Sequence, residues 1–257
     1  MEILVCVKRV PDTAENEIEV NGDGSDIERD DLVYSVNEWD NYAVEEAIQL
    51  RDEHGGSVTV VTVGDDESEE VLRREMAMGA DNGLLLTDEA FENIDGRQTA
   101  ALLKAAVEKG NYDLILTGAQ ADGGAGQVGG MLAALLDVPY ASLVNKIEVD
   151  GDKLKVGREI EGGNQEMNEI SLPCVLSIQT GINEPRYVGI RGIRKVASVE
   201  IPEMGAADLG VDLGQATVKR SDYFVPELGE GAEMLEGSDE EIIAKLIELL
   251  KAKGGLK

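Results

Sequence analysis

The chain opens with an apolar run, Met1 to Lys8, and through its first half alternates such runs with stretches of helical period. After an acidic loop carrying its own turn signal, Asn21-Gly22-Asp23-Gly24, Asn37 is placed to cap a helix. Ala43, Val44, Ala47, Ile48 and Leu50 then recur at the spacing of one helix face, which Gly55-Gly56 ends. Ser57 to Val63, rich in β-branched residues, predicts a second strand. A helix through Val71, Leu72 and Met76 closes at Gly79, and Leu84-Leu85-Leu86 predicts a third strand. Gln98 to Glu108 predicts the next helix and Asp113 to Thr117 a fourth strand. Short apolar runs separated by helices are the pattern of a parallel sheet with crossover connections.

A glycine-rich stretch, Gly118 to Gly130, leads from the fourth strand into the apolar helix Met131 to Leu136. Beyond Pro139 the runs are separated by tight turns: Ser142 to Val149, Lys153 to Glu161, Glu166 to Leu172 and Cys174 to Gln179, with Gly151 and Gly162-Gly163-Asn164 among the punctuation. This part predicts an antiparallel extension of the sheet. From about Pro202 to Gly237 the chain is acidic, glycine-bearing and weakly periodic, and reads as an extended arm. Ser238 and Glu241 are spaced as a capping box, and Ile242, Ile243, Leu246, Ile247 and Leu250 give a terminal helix an apolar face that stops at Gly254. A lone amphipathic helix must bury its stripe, on the chain's own core or on a partner. The expected class is α/β: a doubly wound, mostly parallel sheet with an antiparallel extension in residues 1–200. Residues 201–257 are expected to form a C-terminal arm plus a helix packing on a partner subunit.

Composition narrows the class of function. At 257 residues, 42% of them hydrophobic, the chain can bury a full-sized core. No run reaches the roughly eighteen apolar residues of a membrane span, and Met1-Glu2-Ile3-Leu4-Val5 lacks a basic leader, so a cytoplasmic protein without membrane insertion is expected. Against 52 acidic residues stand 23 basic ones, a formal net charge of −29. Polynucleotide binding needs stripes of Lys and Arg and is excluded as an expectation. The acidity suits a salt-rich host, where counter-ions screen self-repulsion; a steering surface for a basic partner and simple solubility are the other readings.

Catalytic parts are sparse. Cys6 and Cys174 lie inside apolar runs and read as packed thiols. No Cys-x-x-Cys, Ser-His-Asp set or metal-ligand spacing occurs in the sequence. The acidic pairs Glu45-Glu46 and Asp65-Asp66 read as solvated faces. The chemically suggestive stretch is Gly118-Ala119-Gln120-Ala121-Asp122-Gly123-Gly124-Ala125-Gly126-Gln127-Val128-Gly129-Gly130, which follows a strand and opens a helix. Glycines there let backbone N–H groups approach phosphate oxygens at a helix start. It carries neither the Lys-Ser/Thr of a Walker loop nor the spacing of a Rossmann fingerprint, and a plain flexible loop is the competing reading. Cys6, the helix start Asn37-Glu38-Trp39-Asp40 and Val63 map to the same sheet edge if the sheet is doubly wound, where they complete one pocket.

Several ordered motifs along essentially the whole chain resemble the electron transfer flavoprotein beta subunit family. They are Val7-Lys8-Arg9-Val10-Pro11-Asp12, Asn37 with Tyr42-Ala43-Val44-Glu45-Glu46-Ala47, and Ala77-Met78-Gly79-Ala80-Asp81. Further along stand Gln120-Ala121-Asp122 with Gln127-Val128-Gly129, Arg158-Glu159-Ile160-Glu161-Gly162-Gly163, and Asn183-Glu184-Pro185-Arg186-Tyr187 followed by Ile190 and Gly192-Ile193.

The resemblance implies an adenine nucleotide alpha-hydrolase-like fold and a heterodimer whose alpha subunit holds most of a redox-active FAD. It implies electron carriage from flavin dehydrogenases, such as acyl-CoA dehydrogenases, to a membrane quinone oxidoreductase, by a carrier subunit more than by an enzyme. It implies a structural AMP in this chain at Cys6, Asn37, Glu38, Trp39, Asp40, Val63 and Gly118 to Val128. The stretch Tyr187-Val188-Gly189-Ile190-Arg191-Gly192-Ile193-Arg194-Lys195 corresponds to a recognition loop with Ile190 as its anchor. Glu159 matches an acid implicated in controlling the flavin domain. Arg191 stands where some members have proline, which leaves the shape of that loop open. A bifurcating branch carries a second FAD in place of AMP and oxidises NADH; its loop has an acid and a hydroxyl that Gly124-Ala125-Gly126 lacks, so AMP is the preferred expectation. An ATP-sensing or ATP-hydrolysing α/β protein is the reading from another class.

Overall fold

A computed structural model describes residues 1–227, 229 and 231–256. In chain order the elements are β1 (Glu2–Cys6), β2 (Arg9–Pro11), β3 (Tyr34–Val36), α1 (Glu38–His54), β4 (Ser57–Val63), α2 (Glu69–Met78), β5 (Asn82–Leu86), α3 (Gly96–Val107) and β6 (Leu114–Gly118). There follow α4 (Val128–Leu136), β7 (Tyr140–Asp150), β8 (Lys153–Ile160), β9 (Asn164–Ser171), β10 (Cys174–Ile178), α5 (Ile190–Val196), β11 (Glu203–Met204), α6 (Ala206–Leu209) and α7 (Asp239–Ala252). One nine-stranded sheet runs β11-β5-β4-β1-β6-β10-β7-β8-β9. Every pairing from β11 to β7 is parallel, while β8 and β9 extend the sheet antiparallel. The doubly wound, mostly parallel α/β reading therefore holds.

Successive residues of β1 face opposite layers, as strand geometry requires. Ile3 and Val5 join Ala43, Val44, Ala47 and Ile48 of α1 and Val71 and Leu72 of α2, whereas Leu4 joins Ala100, Leu102 and Leu103 of α3 and Leu132 of α4. The core thus lies on both sheet faces, with α1 and α2 on one and α3 and α4 on the other. The chain winds outward from β1 through β4 to β5, then returns to the other side of β1 as β6.

Some expectations require correction. Cys174 to Gln179 is not part of the antiparallel extension: β10 lies between β6 and β7, parallel to both, with all five residues buried. Its run of Cys174, Val175, Leu176 and Ile178, broken only by the small Ser177, is the signal of a central strand, which the preceding tight turns obscure. Glu45 and Glu46 are not solvated. They are only 3% and 8% exposed, because Glu45 pairs with Arg186 (2.7 Å) and Glu46 accepts from Asn183 Nδ2 (3.0 Å). The stretch from Ile190 forms a short helix, α5, rather than a loop. On the arm, α7 has the expected capping box between Ser238 and Glu241, and Ile243, Leu246, Ile247 and Leu250 face solvent. Residues 228, 230 and 257 of the expected arm lie outside the described residues.

Glu75 of α2 is fully buried, and neither carboxyl oxygen has a partner among the described residues. Burial pushes its pKa up to about 8, with Arg74 opposing and Asp40 and Glu45 adding to the rise. Near pH 4 the group is protonated in folded and unfolded chains alike. Above that the unfolded chain releases a proton that the fold retains, so its contribution to stability is lost as the pH rises through about 8. In urea denaturation, Glu75→Gln should match the parent near pH 4 and exceed it at pH 9 by on the order of 4 kcal/mol. Equal pH profiles would contradict the assignment.

Candidate functional site: a crevice where the sheet reverses direction

At the carboxyl edge β1 and β6 lie side by side, and the segments that follow them diverge to opposite faces. In open α/β sheets such a reversal opens the ligand crevice. Asp40, in the first turn of α1, spans it. Its Oδ2 accepts the main-chain N–H of Lys8, just beyond β1 (2.8 Å), and its Oδ1 that of Gly118, the last residue of β6 (3.0 Å). Burial pushes the carboxyl pKa up to about 7, against the lowering effect of hydrogen bonds from Asn37, Lys8 and Gly118. Glycine is required at position 118: a Cβ there would stand 2.4 Å from Asp40 Oδ1 and 2.7 Å from Trp39 Cβ.

Asn37 closes the same opening. Its N–H donates to Lys8 O (2.9 Å), and its side-chain Nδ2 donates across the crevice to Gln120 O (2.9 Å) instead of the side chain capping α1. Asn37 is fully buried and its Oδ1 has no partner among the described residues, leaving an acceptor for a ligand donor. Beyond Gly118 the loop is largely exposed from Gln120 to Gln127, with a turn closed by Gly124 N–H on Ala121 O (2.9 Å). Lys8 Nζ donates to Asp122 O (3.3 Å). Gly126 adopts φ +62°, and a Cβ there would press to 2.9 Å from Ala119 O. The helix α4 starts at Val128, earlier than the expected Met131, and no side chain caps it, so its first N–H groups are available to an anion. Gly129 lets α4 approach the sheet, where a Cβ would lie 2.4 Å from Ser177 Oγ. Beneath it Ser177 Oγ shares hydrogen bonds with Thr117 Oγ1 (2.8 Å) and Tyr140 OH (2.9 Å).

Asn37, Trp39, Asp40, Gly118 and the loop through Val128 therefore converge on one crevice. Cys6 ends β1 at its floor, with its thiol raised by burial and by Asp40, so it is a packed thiol. Val63 ends β4, one strand away, and Glu38 is exposed on the first turn of α1. The set suits a ligand with an anionic end for the start of α4 and an N–H donor for Asn37 Oδ1.

The second set of expected residues lies apart from the crevice but is joined to it through α1. Arg186 donates to Glu45 through its main-chain N (3.2 Å), Nε (2.7 Å) and Nη2 (2.9 Å), and Asn183 Nδ2 donates to Tyr42 O and Glu46. The clasp fixes the base from which Tyr187 (91% exposed), Ile190 (67%) and Ile193 (51%) project. Val188 packs partly against the core, and Gly189 precedes α5 as its N-terminal flank. Gly192 lets α5 settle on α2, since a Cβ would lie 2.5 Å from Ala77 O, while Arg191, Arg194 and Lys195 remain exposed. Glu159 of β8 is exposed, and Gln179 bridges it to the crevice. Trp39 Nε1 donates to Gln179 Oε1 (3.0 Å), and Gln179 Nε2 donates to Glu159 Oε2 (3.2 Å). The reading from sequence passed over Gln179 and the clasp made by Glu45, Glu46, Asn183 and Arg186, because each depends on a pairing between distant segments.

The chain resembles known proteins along nearly its whole length. Residues 26–209 match the family model described as the electron transfer flavoprotein domain. Electron transfer flavoprotein subunit beta of Thermoanaerobacterium thermosaccharolyticum is 38% identical over 98% of this chain and 99% of its own length. The subunit of the same name in Bacillus subtilis is 35% identical over 98% of each chain. The caffeyl-CoA reductase-Etf complex subunit CarD of Acetobacterium woodii is 35% identical over 98% of this chain and 99% of its own length.

The tight approach at the crevice is open to a direct test. Gly118→Ala should lower stability in urea by about 2 kcal/mol or more, since Asp40 and Trp39 must separate. Gly189→Ala, with open space around the same added methyl, should stay within about 0.5 kcal/mol of the parent. A Gly118→Ala chain as stable as the parent would show that the crevice lips are not fixed by this contact.

Proposed function

The chain belongs to the electron transfer flavoprotein beta subunit family, and on that premise we propose that it is the smaller subunit of a two-chain electron carrier and not an enzyme by itself. The crevice bridged by Asp40 is the observation that carries the reading. It holds AMP as a structural brace: Asn37 Oδ1 is the buried acceptor for the base or sugar, and the uncapped start of α4 receives the monophosphate through backbone N–H groups. These residues fit such a nucleotide without any acidic or hydroxyl side chain from Gly124-Ala125-Gly126.

The redox chemistry is supplied by FAD bound mainly in the alpha subunit. This chain's part is to brace and present. The apolar face of α7, exposed at Ile243, Leu246, Ile247 and Leu250, is suited to burial against that larger subunit. The clasp on Glu45 and Glu46 presents Ile190 as an isolated aliphatic anchor to flavin dehydrogenases of the acyl-CoA dehydrogenase kind, a hot-spot arrangement among polar neighbours. A membrane quinone oxidoreductase is the proposed acceptor. No helix of the described residues is long and apolar enough to cross a membrane, so contact with such an acceptor is assigned to the surface of the complex. A second reading, FAD in the crevice of this chain, draws support from CarD, a relative named as part of a caffeyl-CoA reductase complex.

Purified with its alpha subunit and extracted with acid, the complex should yield one FAD and one AMP per pair of chains by chromatography. Two FAD and no AMP would replace the first reading by the second. A complex whose only adenine nucleotide is a single FAD would contradict both.

A further inference from the structure

The arm does not leave the molecule directly after α6. Gln98 Nε2 donates to Leu213 O (3.3 Å) and Gly214 O (3.2 Å), and Asp95 Oδ2 accepts from Thr217 N (2.6 Å), Thr217 Oγ1 (2.8 Å) and Val218 N (3.2 Å). The main-chain N–H of Gln98 (2.9 Å), together with the Thr217 and Val218 contacts, holds the Asp95 carboxyl well below the usual carboxylate range. Further on, Tyr223 N–H donates to Gly24 O (2.9 Å), and a Cβ on Gly24 would stand 3.3 Å from Tyr223 O. Asp95 caps α3 after β5, and Gly24 belongs to the loop between β2 and β3, after β1. Residues 217–223 therefore form a strap tied at both ends, running along the carboxyl edge from the β5 side to the β1 side.

The strap brings Arg220 into the electrostatic neighbourhood of Lys8 and of Asp26. Lys8 is the residue whose main chain is gripped by Asp40 and whose ammonium reaches the glycine loop at Asp122 O. Its side chain is exposed to solvent, and its ammonium lies within hydrogen-bond distance of the loop carbonyl of Asp122 (3.3 Å). Burial lowers its pKa, and the nearby Arg220 charge lowers it further. Arg29, also close, is paired with Asp26 (2.9 Å), whereas Arg220 makes no ion pair among the described residues. In a chain with 52 acidic and 23 basic residues, two cations brought together at the mouth of the crevice are out of keeping with the rest of the surface.

We propose that the strap 217–223 closes over the crevice and that Arg220, with Lys8, grips the phosphate end of the adenine nucleotide seated there. The proposal rests on the nucleotide reading above and deepens it. Backbone N–H groups at the start of α4 meet the phosphate from the floor, and the two side-chain cations meet it from the mouth. The strap thereby makes part of the arm a component of the nucleotide site. Arg220 is a binding residue and takes no part in electron movement.

Calorimetric titration of the nucleotide-depleted complex of the full-length chain with its alpha subunit tests this, using AMP and adenosine as probes against the parent, Arg220→Gln and Arg220→Lys. Arg220→Gln is expected to weaken AMP at least five-fold, to leave adenosine unchanged and to flatten the salt dependence of AMP binding; Arg220→Lys should restore most of the affinity. If the parent binds AMP and the Gln variant binds it equally well, or if AMP and adenosine weaken together, the grip by Arg220 is overturned and the nucleotide reading stands. If the parent binds neither probe, the nucleotide reading falls and the strap's role falls with it.

Discussion

The carboxyl of Asp40 holds the two strands whose diverging continuations make the crevice. One oxygen takes the N–H of Lys8 beyond β1 and the other that of Gly118 at the end of β6, so the separation of the two lips is set by the width of a single carboxyl group. The main-chain donors it satisfies would otherwise lie at the ends of buried strands, where unpaired N–H groups are costly. Gly118 and the buried Asn37 follow from the same constraint: the first leaves room for the carboxyl, and the second ties α1 to the far lip through Gln120.

Because Asp40 belongs to α1, the crevice and the exposed segment 187–195 share one rigid support. Five residues along the helix, about 7.5 Å by helix rise, Glu45 receives Arg186, and Glu46 receives Asn183. The helix thus braces the crevice at its first turn and the base of α5 further along. Charge follows the same economy. In a molecule of net −29, Arg186 is spent on a half-buried clasp, the Arg220 charge lies near enough to Lys8 to lower its pKa, and Arg191, Arg194 and Lys195 collect on α5.

The layers of the fold were legible because their signals are local. Apolar runs, helical stripes, Gly79 and the capping box at Ser238 each act over a few residues, and the corresponding elements formed where those signals lie. What escaped were decisions made at long range. The central position of β10 depends on its pairing with β6, across about sixty residues of chain, and not on the turns beside it. Glu45 and Glu46 look like surface acids until Asn183 and Arg186 come to meet them. Asn37 reads as a helix cap, yet its side chain is drawn to Gln120 on the other side of the crevice. The glycine loop was placed correctly as a strand-to-helix connection, but the start of α4 at Val128, which puts its free N–H groups against the loop, was set by packing of Gly129 on Ser177.

What occupies the space between Asn37 and the start of α4 decides the role of the crevice. A crystal structure of the complex with its alpha subunit, grown with AMP present, measures this most directly. The expected result is one adenine nucleotide in that space, with a donor on Asn37 Oδ1 and its phosphate within hydrogen-bond distance of the N–H groups of residues 128–130. Ordered water alone in the crevice, with the nucleotide bound elsewhere on the chain, would contradict it.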